Sequence, residues 1–172
     1  LHNLGILPPS ASQDSPIMLT GGVEFTGDHT TIYRANLYLR TASRILVRLG
    51  EFHAAAFTEL RRRTQNLSWI DYLHPGQSVA VRATCHKSRL YHSSAVAREV
   101  VKAIEDAIGK PLVHTKFDEN QPGYTSQLVI VRLVNDICTI SIDTSGQLLH
   151  RRGYRLGTAK APLRETLAAG LL

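Results

Sequence analysis

The sequence predicts a mixed α/β chain in which a sheet is covered by helices. Three observations carry this. Residues 79–85 alternate so that Val79, Val81, Ala83 and Cys85 share one face, while Arg82, Thr84 and His86 share the other. Val96, Val100, Ile104 and Ile108 follow at helical spacing, and Gly109 and Pro111 close that helix. Residues 127–143 read as a hairpin turning at Asn135 and Asp136, although aspartate is poorer than glycine at the second turn position. That turn would set Leu133 opposite Cys138, Val131 opposite Ile140 and Val129 opposite Ile142, one apolar face that must pack on helices.

The other elements follow in chain order. Leu1, Leu4, Gly5 and Ile6 resemble the last turn of a helix, and 8–16 is a polar, proline-rich loop. Short strands at 17–19 and 23–25 flank Thr20, Gly21 and Gly22; a helix over 30–39 and a strand over 45–49 come next. That order is the latter part of a split β-α-β layout whose first strand is missing. From His53 the spacing of Ala56, Phe57 and Leu60 is helical, and Arg61, Arg62 and Arg63 read as favourable charge in its last turn. Ser68 and Asp71 resemble a capping box for a short helix carrying Trp69 into the core. Residues 116–124 form an acidic, polar loop. At the end, Leu163, Leu167 and Leu171 make an apolar stripe on a helix with nothing following to bury it, so the chain is expected to be a piece of a larger protein.

Composition narrows the function. With 172 residues and 43% hydrophobic content the chain can bury a real core, and it has no run of 18 apolar residues and no signal-peptide layout. Cys85 and Cys138, both core-facing, read as buried free thiols, which places the chain in a reducing cytoplasm. The net charge is +6, and the excess lies in two blocks, residues 82–102 and 150–172, each at +4. Clustered cations of this kind fit a polyanion partner.

The first block sits where a strand runs into a helix, a place where free backbone N–H groups and the helix dipole favour phosphate. Lys87 and Arg89 are the expected phosphate ligands, supported by Arg82 and His86 from the polar strand face. Arg98 and Lys102, four apart, extend the track. Tyr91 either stacks on an exposed base or ribose or packs in the core or at the helix entry. Arg151, Arg152 and Arg155, in the second block, either touch the same polyanion or pack on a neighbouring part of the protein. Cys85, His86 and His92, with His74 or Cys138, have metal-ligand chemistry, but adjacent Cys85 and His86 point to opposite strand faces. Thr144, Ser145 and Gly146 lack the elbow of a serine hydrolase. A third class is assembly, through the stripe ending at Leu171.

The motifs carry a resemblance. Gly22-Val23-Glu24-Phe25, Tyr33-Arg34-Ala35-Asn36-Leu37, Leu39-Arg40-Thr41-Ala42-Ser43-Arg44, Cys85-His86-Lys87-Ser88-Arg89-Leu90-Tyr91-His92 and Asp143-Thr144-Ser145-Gly146 run through the chain. Leu149-His150-Arg151-Arg152-Gly153-Tyr154-Arg155 and Ala161-Pro162-Leu163-Arg164-Glu165-Thr166-Leu167-Ala168-Ala169 are the sharpest. The chain resembles the N-terminal part of bacterial THUMP-domain RNA methyltransferases of the kind that modifies guanine in large-subunit ribosomal RNA. The resemblance implies a partial ferredoxin-like subdomain over 1–52, an RNA-binding THUMP domain over 53–146, and over 147–172 a linker and first helix leading into a methyltransferase domain in cis. It further implies that the THUMP domain positions structured RNA, 23S rRNA above all, for guanine N2 methylation with S-adenosylmethionine in the parent protein. A tRNA target, or a role mainly in assembly or oligomerisation through the C-terminal helix, is the alternative. The chain departs from the family by omission: it has no Asn-Pro motif, and Gly153, Gly157 and Gly170 do not assemble a cofactor turn, so these residues alone are expected to be catalytically inert, with no cofactor or metal.

Overall fold

The structure, a computed structural model, describes residues 16–19, 21–118, 125–151 and 163–171. In chain order its elements are β1 (Ile17–Leu19), β2 (Gly22–Glu24), α1 (His29–Tyr38), β3 (Leu46–His53), α2 (Phe57–Gln65), β4 (Ser78–His86), α3 (Ser93–Ile108), β5 (Val113–His114), β6 (Gln127–Val134), β7 (Ile137–Asp143) and α4 (Glu165–Leu171). Two compact units emerge, Leu46–Gln147 and the residues on either side of it. The chain is mixed α/β, as its patterning predicts.

In the flanking unit, β1 and β2 form an antiparallel hairpin closing at Leu19 opposite Gly22. Asp28 caps α1: its carboxylate accepts from the Thr31 backbone N–H at 2.8 Å and from the Thr31 hydroxyl at 2.7 Å. Those bonds hold the Asp28 carboxyl below its ordinary value. On α4 and the residue pair before it, Leu163, Leu167 and Leu171 are exposed at 48, 57 and 80%, the stripe foreseen from their spacing.

The larger unit is a five-stranded sheet in the order β3-β7-β6-β4-β5. The β6–β7 hairpin has the predicted register, with Leu133 opposite Cys138, Val131 opposite Ile140 and Val129 opposite Ile142. Asn135 and Asp136 both take positive φ, 51° and 64°, the conformation a tight hairpin turn requires. Strand β4 runs parallel to β6, with Val81 beside Val129, Ala83 beside Val131 and Cys85 beside Leu133, so their apolar faces coincide. A parallel pair needs a long crossover, and α3 lies within it.

Helices α2 and α3 cover that apolar face. Leu60, Trp69, Leu73, Val96, Val100 and Ile104 pack on Val79, Val129, Val131, Leu133, Cys138, Ile140 and Ile142 in one buried cluster. At roughly 25 cal/mol per Å² of apolar surface, burial of this kind is the main stabilising contribution. The Trp69 indole N–H donates to the Thr64 carbonyl at 2.7 Å, so the buried ring leaves no orphan donor. Arg61 joins the helices, its guanidinium 2.7 Å from the Asp106 carboxylate and 3.9 Å from Glu99. Gly109, at φ +73°, ends α3 in the left-handed conformation that glycine adopts without penalty.

Three expectations differ from the structure, and one strand carries no sequence signal. The strand expected over 45–49 in the first subdomain is the sheet edge of the larger unit: β3 pairs with β7, and Val47, Leu49 and Phe52 pack against the core. Its partner lies about 90 residues away, beyond the reach of local patterning. His53 ends that strand, and α2 begins at Phe57 rather than at His53. Ser68 caps nothing with its side chain; only a single 3-10 turn forms over Trp69–Asp71, and its entry is set by the Trp69 N–H donating to the Leu67 carbonyl at 2.8 Å. Strand β5 has no periodic signature because only two residues pair, Val113 and His114 with Ser78 and Val79.

Candidate nucleic-acid interface

The β4–α3 loop is a short basic segment anchored at both sides. Strand alternation turns Val79, Val81, Ala83 and Cys85 toward the helices and leaves Arg82, Thr84 and His86 exposed on the opposite face. After His86 the chain reverses through Lys87, held at φ +47°, an uncommon conformation for a side chain of this size. Leu90, only 6% exposed, plugs into the core and fixes the far side of the loop. Between the two anchors, Lys87 and Arg89 are presented outward, while Ser88 is half-buried between them.

The β6–β7 turn holds this loop from below. The Arg89 backbone N–H donates to the Asp136 carboxylate at 2.7 Å, and the Asp136 N–H donates to the Ser88 hydroxyl at 3.0 Å. That hydroxyl in turn donates to the His86 carbonyl at 3.0 Å, which also accepts from the Asn135 N–H at 3.2 Å. Asp136 is therefore a latch as well as a turn residue. The Arg89 guanidinium stands 3.9 Å from the same carboxylate, and its side chain is 78% exposed, so most of its donors face solvent. Lys87 makes no ion pair or hydrogen bond with another described residue.

Tyr91 and His92 complete the entry to α3. Tyr91 is 69% exposed, and its ring lies 4.1 Å from that of His92 at an interplanar angle of 42°. Of the placements open to Tyr91, packing in the core is excluded by that exposure. His92 is the cap residue of α3, yet no side chain caps the helix. Beside that terminus a shallow groove runs between β4 and α3, lined by Arg82, Ser93, Ser94, Lys116 and Phe117 among others. The Arg82 guanidinium lies 5.7 Å from the Phe117 ring centroid, a cation–π distance.

The remaining candidates divide. Arg98 is exposed on the solvent side of α3. Lys102 donates to Glu99 at 3.0 Å, the carboxylate that also faces Arg61, so it is tied into the α2–α3 charge network. Arg151 is exposed in a 3-10 turn over Leu149–Arg151, in the flanking unit. Arg152 and Arg155 lie outside the described residues. The loop thus brings His86, Lys87, Arg89 and Tyr91 together with Arg82 at one end of the sheet.

Sequence reasoning passed over Asp136, Ser88 and Lys116. Asp136 announced itself only as an imperfect turn residue; its second role depends on a contact 47 positions away. The cysteines behave as buried thiols. Burial pushes the Cys138 thiol up to about 12 and raises that of Cys85. The intervening strand β6 separates them, and Cys85 and His86 face opposite sides of β4. Among the described residues, no three histidine, cysteine or acidic side chains are grouped to hold a metal ion. Nor is any described helix long and apolar enough to cross a membrane.

Comparison with known proteins identifies the two parts. Residues 54–143 match the THUMP domain, and residues 17–46 match the RlmL ferredoxin-like domain. The chain is 37% identical over 156 residues to YpsC of Bacillus subtilis, named as a candidate RNA methyltransferase. Among solved structures it superposes with a TM-score of 0.77 and 37% identity on a protein of Listeria monocytogenes described as a predicted N6-adenine-specific DNA methylase. It also superposes with a TM-score of 0.72 and 32% identity on SMU.472, a methyltransferase-type protein complexed with SAH. These matches cover 88 to 91% of this chain but only 39 to 41% of the relatives' own lengths. On a match that spans more than half of its residues, including both covering helices and four of the five strands of the sheet, the chain belongs to the THUMP-domain family, with a ferredoxin-like segment ahead of its THUMP domain.

Proposed function

We propose that this chain is the RNA-holding part of an S-adenosylmethionine-dependent RNA methyltransferase, and that it positions structured RNA for methyl transfer elsewhere in the parent protein. The observation that carries this is the basic β4–α3 loop, latched by Asp136 and placed against the uncapped start of α3. Lys87 and Arg89 bind phosphates, Arg82 and His86 support them from the strand, and Tyr91 stacks on an unpaired base or ribose. Arg98 continues the phosphate track, with Lys102 as a weaker contributor because Glu99 already engages it. Arg151, Arg152 and Arg155 form the second basic block, between the RNA-holding domain and the catalytic one. By this reading the ferredoxin-like part spans 1–52, with β3 at its end pairing into the sheet of the THUMP part at 53–146, and 147–172 leads into the methyltransferase domain. The target is large-subunit rRNA and the product N2-methylguanine, made in the cytoplasm.

In the parent protein S-adenosylmethionine would supply the methyl group that is transferred to the RNA, away from the residues that hold that RNA. The only turn that joins a parallel strand of the sheet to a helix among these residues, 87–92, is cationic and has no glycine, so it suits a phosphate chain and not a close-fitting cofactor cradle. What these residues do is bind, orient and hold the RNA.

One relative is described as a DNA methylase, which makes nucleic-acid type the test. Binding of a fluorescein-labelled RNA stem-loop to this chain is measured by anisotropy, with an unlabelled DNA hairpin of the same sequence as competitor. The expectation is salt-dependent binding with RNA preferred, because the 2′-hydroxyls and A-form shape contribute to recognition. Equal competition by the DNA hairpin contradicts the proposal.

A further inference from the structure

We infer that the exposed part of the sheet face opposite the helices is a second contact surface for the same RNA, with Arg132 as its central phosphate ligand. Resting on the function proposed above, it carries the footprint from the β4–α3 loop across β4, β6 and β7. Both α2 and α3 pack on the opposite face; on the outward side Arg82, Thr84 and Arg132 are exposed, while Ala80, Leu128 and Asp143 farther along the same face are buried.

The register sets out the charge. Thr84 on β4 lies beside Arg132 on β6, which lies opposite Thr139 on β7. Arg82 is one step back along β4, a diagonal neighbour of Arg132 at about 7–8 Å between Cα atoms. Arg82, Thr84 and Arg132 are exposed, and Arg132 makes no ion pair or hydrogen bond with another described residue. Two carboxylates share the face: Asp143, buried at the far end of β7, and Glu51, beside Thr139. Glu51 is already engaged, accepting from the Arg48 guanidinium at 3.3 Å and from the Thr139 hydroxyl at 3.2 Å. The face therefore presents Arg132 without an acidic partner, and Arg82 beside the Phe117 ring, among hydroxyls.

Charge complementarity and continuity select the occupant. His86 ends the same face and leads directly into Lys87, so one anionic strand can run from the loop onto the sheet without a break. No Phe, Tyr or Trp stands on β4, β6 or β7, so apart from His86 at its edge this surface reads phosphates and 2′-hydroxyls rather than stacking bases.

The test uses the 172-residue chain and a fluorescein-labelled RNA stem-loop, with affinity followed across a potassium chloride series. Arg132→Ala is expected to weaken binding about fivefold and to flatten the log–log salt slope by about 1, as for loss of one phosphate contact. Arg132→Lys, which keeps the charge, retains the slope, and thermal midpoints of both variants stay at that of the parent. Unchanged affinity and slope for Arg132→Ala, while Lys87→Ala with Arg89→Ala weakens binding, overturns the sheet surface and leaves the RNA function standing. Absence of any salt-dependent RNA binding by the parent chain overturns both. Polyglutamate displacing the RNA as well as unlabelled RNA does also overturns it, in favour of an acidic protein partner.

Discussion

Lys87 occupies a backbone conformation that costs a non-glycine residue of order 1 kcal/mol, and it does so at the point where the cationic loop leaves the strand. A glycine there would fit the backbone better and bind RNA worse. Lys87→Gly is expected to hold the thermal midpoint or raise stability by up to about 1 kcal/mol while weakening RNA binding severalfold. Calorimetry and anisotropy on one preparation check both halves. Asp136 supports the same distinction. Asp136→Gly suits the second position of a tight hairpin turn, yet it removes the acceptor that the Arg89 N–H uses at 2.7 Å. Stability is expected to change little and RNA affinity to fall, whereas Asp136→Asn keeps an acceptor oxygen and most of the affinity. The cations themselves were legible from the sequence because they cluster over 82–102. Their latch was not, since a hydrogen bond spanning 47 positions leaves no periodic trace.

At the level of elements, legibility followed burial pattern. Helix α3 and the β6–β7 hairpin announced themselves because one face of each is wholly apolar, and a one-residue slip would expose it. Strand β3 announced itself as a strand but not as a partner of β7, because alternation reports a face and not a neighbour. Strand β5 is too short to report anything. It is held by Glu105 of α3, whose carboxylate accepts from the Leu112 N–H at 3.0 Å and lies 3.1 Å from the His114 ring nitrogen. The Leu112 hydrogen bond chiefly, and then His114, hold this carboxyl below its ordinary value of 4.5. A depressed carboxylate stabilises the fold above its unfolded-state value, and that contribution disappears as pH falls through the lower folded-state value. Glu105→Gln is therefore expected to melt below the parent at pH 7, with the gap closing as pH falls below 4.5; thermal melts across pH 3 to 7 measure it. Trp69 gives the complementary case of a buried element anchor. Trp69→Phe, which loses the bond to the Thr64 carbonyl, is expected to cost about 1–2 kcal/mol in chemical denaturation, and Trp69→Ala about 3–5.

Across the whole molecule, charge is sorted by use. Arg61 is committed to Asp106 and Glu99 between helices, Lys102 to Glu99, and Arg48 to Glu51. Lys87, most of Arg89, and Arg132 remain turned to solvent at one end and one face of the sheet. Sequence patterning separated the two basic blocks but could not tell committed arginines from available ones, because the acidic partners come from other elements. Arg62 and Arg63, exposed in the last turn of α2, now serve as the internal control, since they match the loop in charge but not in place. The most direct measurement is the salt dependence of RNA stem-loop binding by the parent chain, by Lys87→Ala with Arg89→Ala, and by Arg62→Ala with Arg63→Ala. The loop pair is expected to lose affinity at every salt concentration and to lower the log–log slope by about 2, while the helix pair stays close to the parent. Equal losses in the two double variants would contradict a footprint centred on the β4–α3 loop.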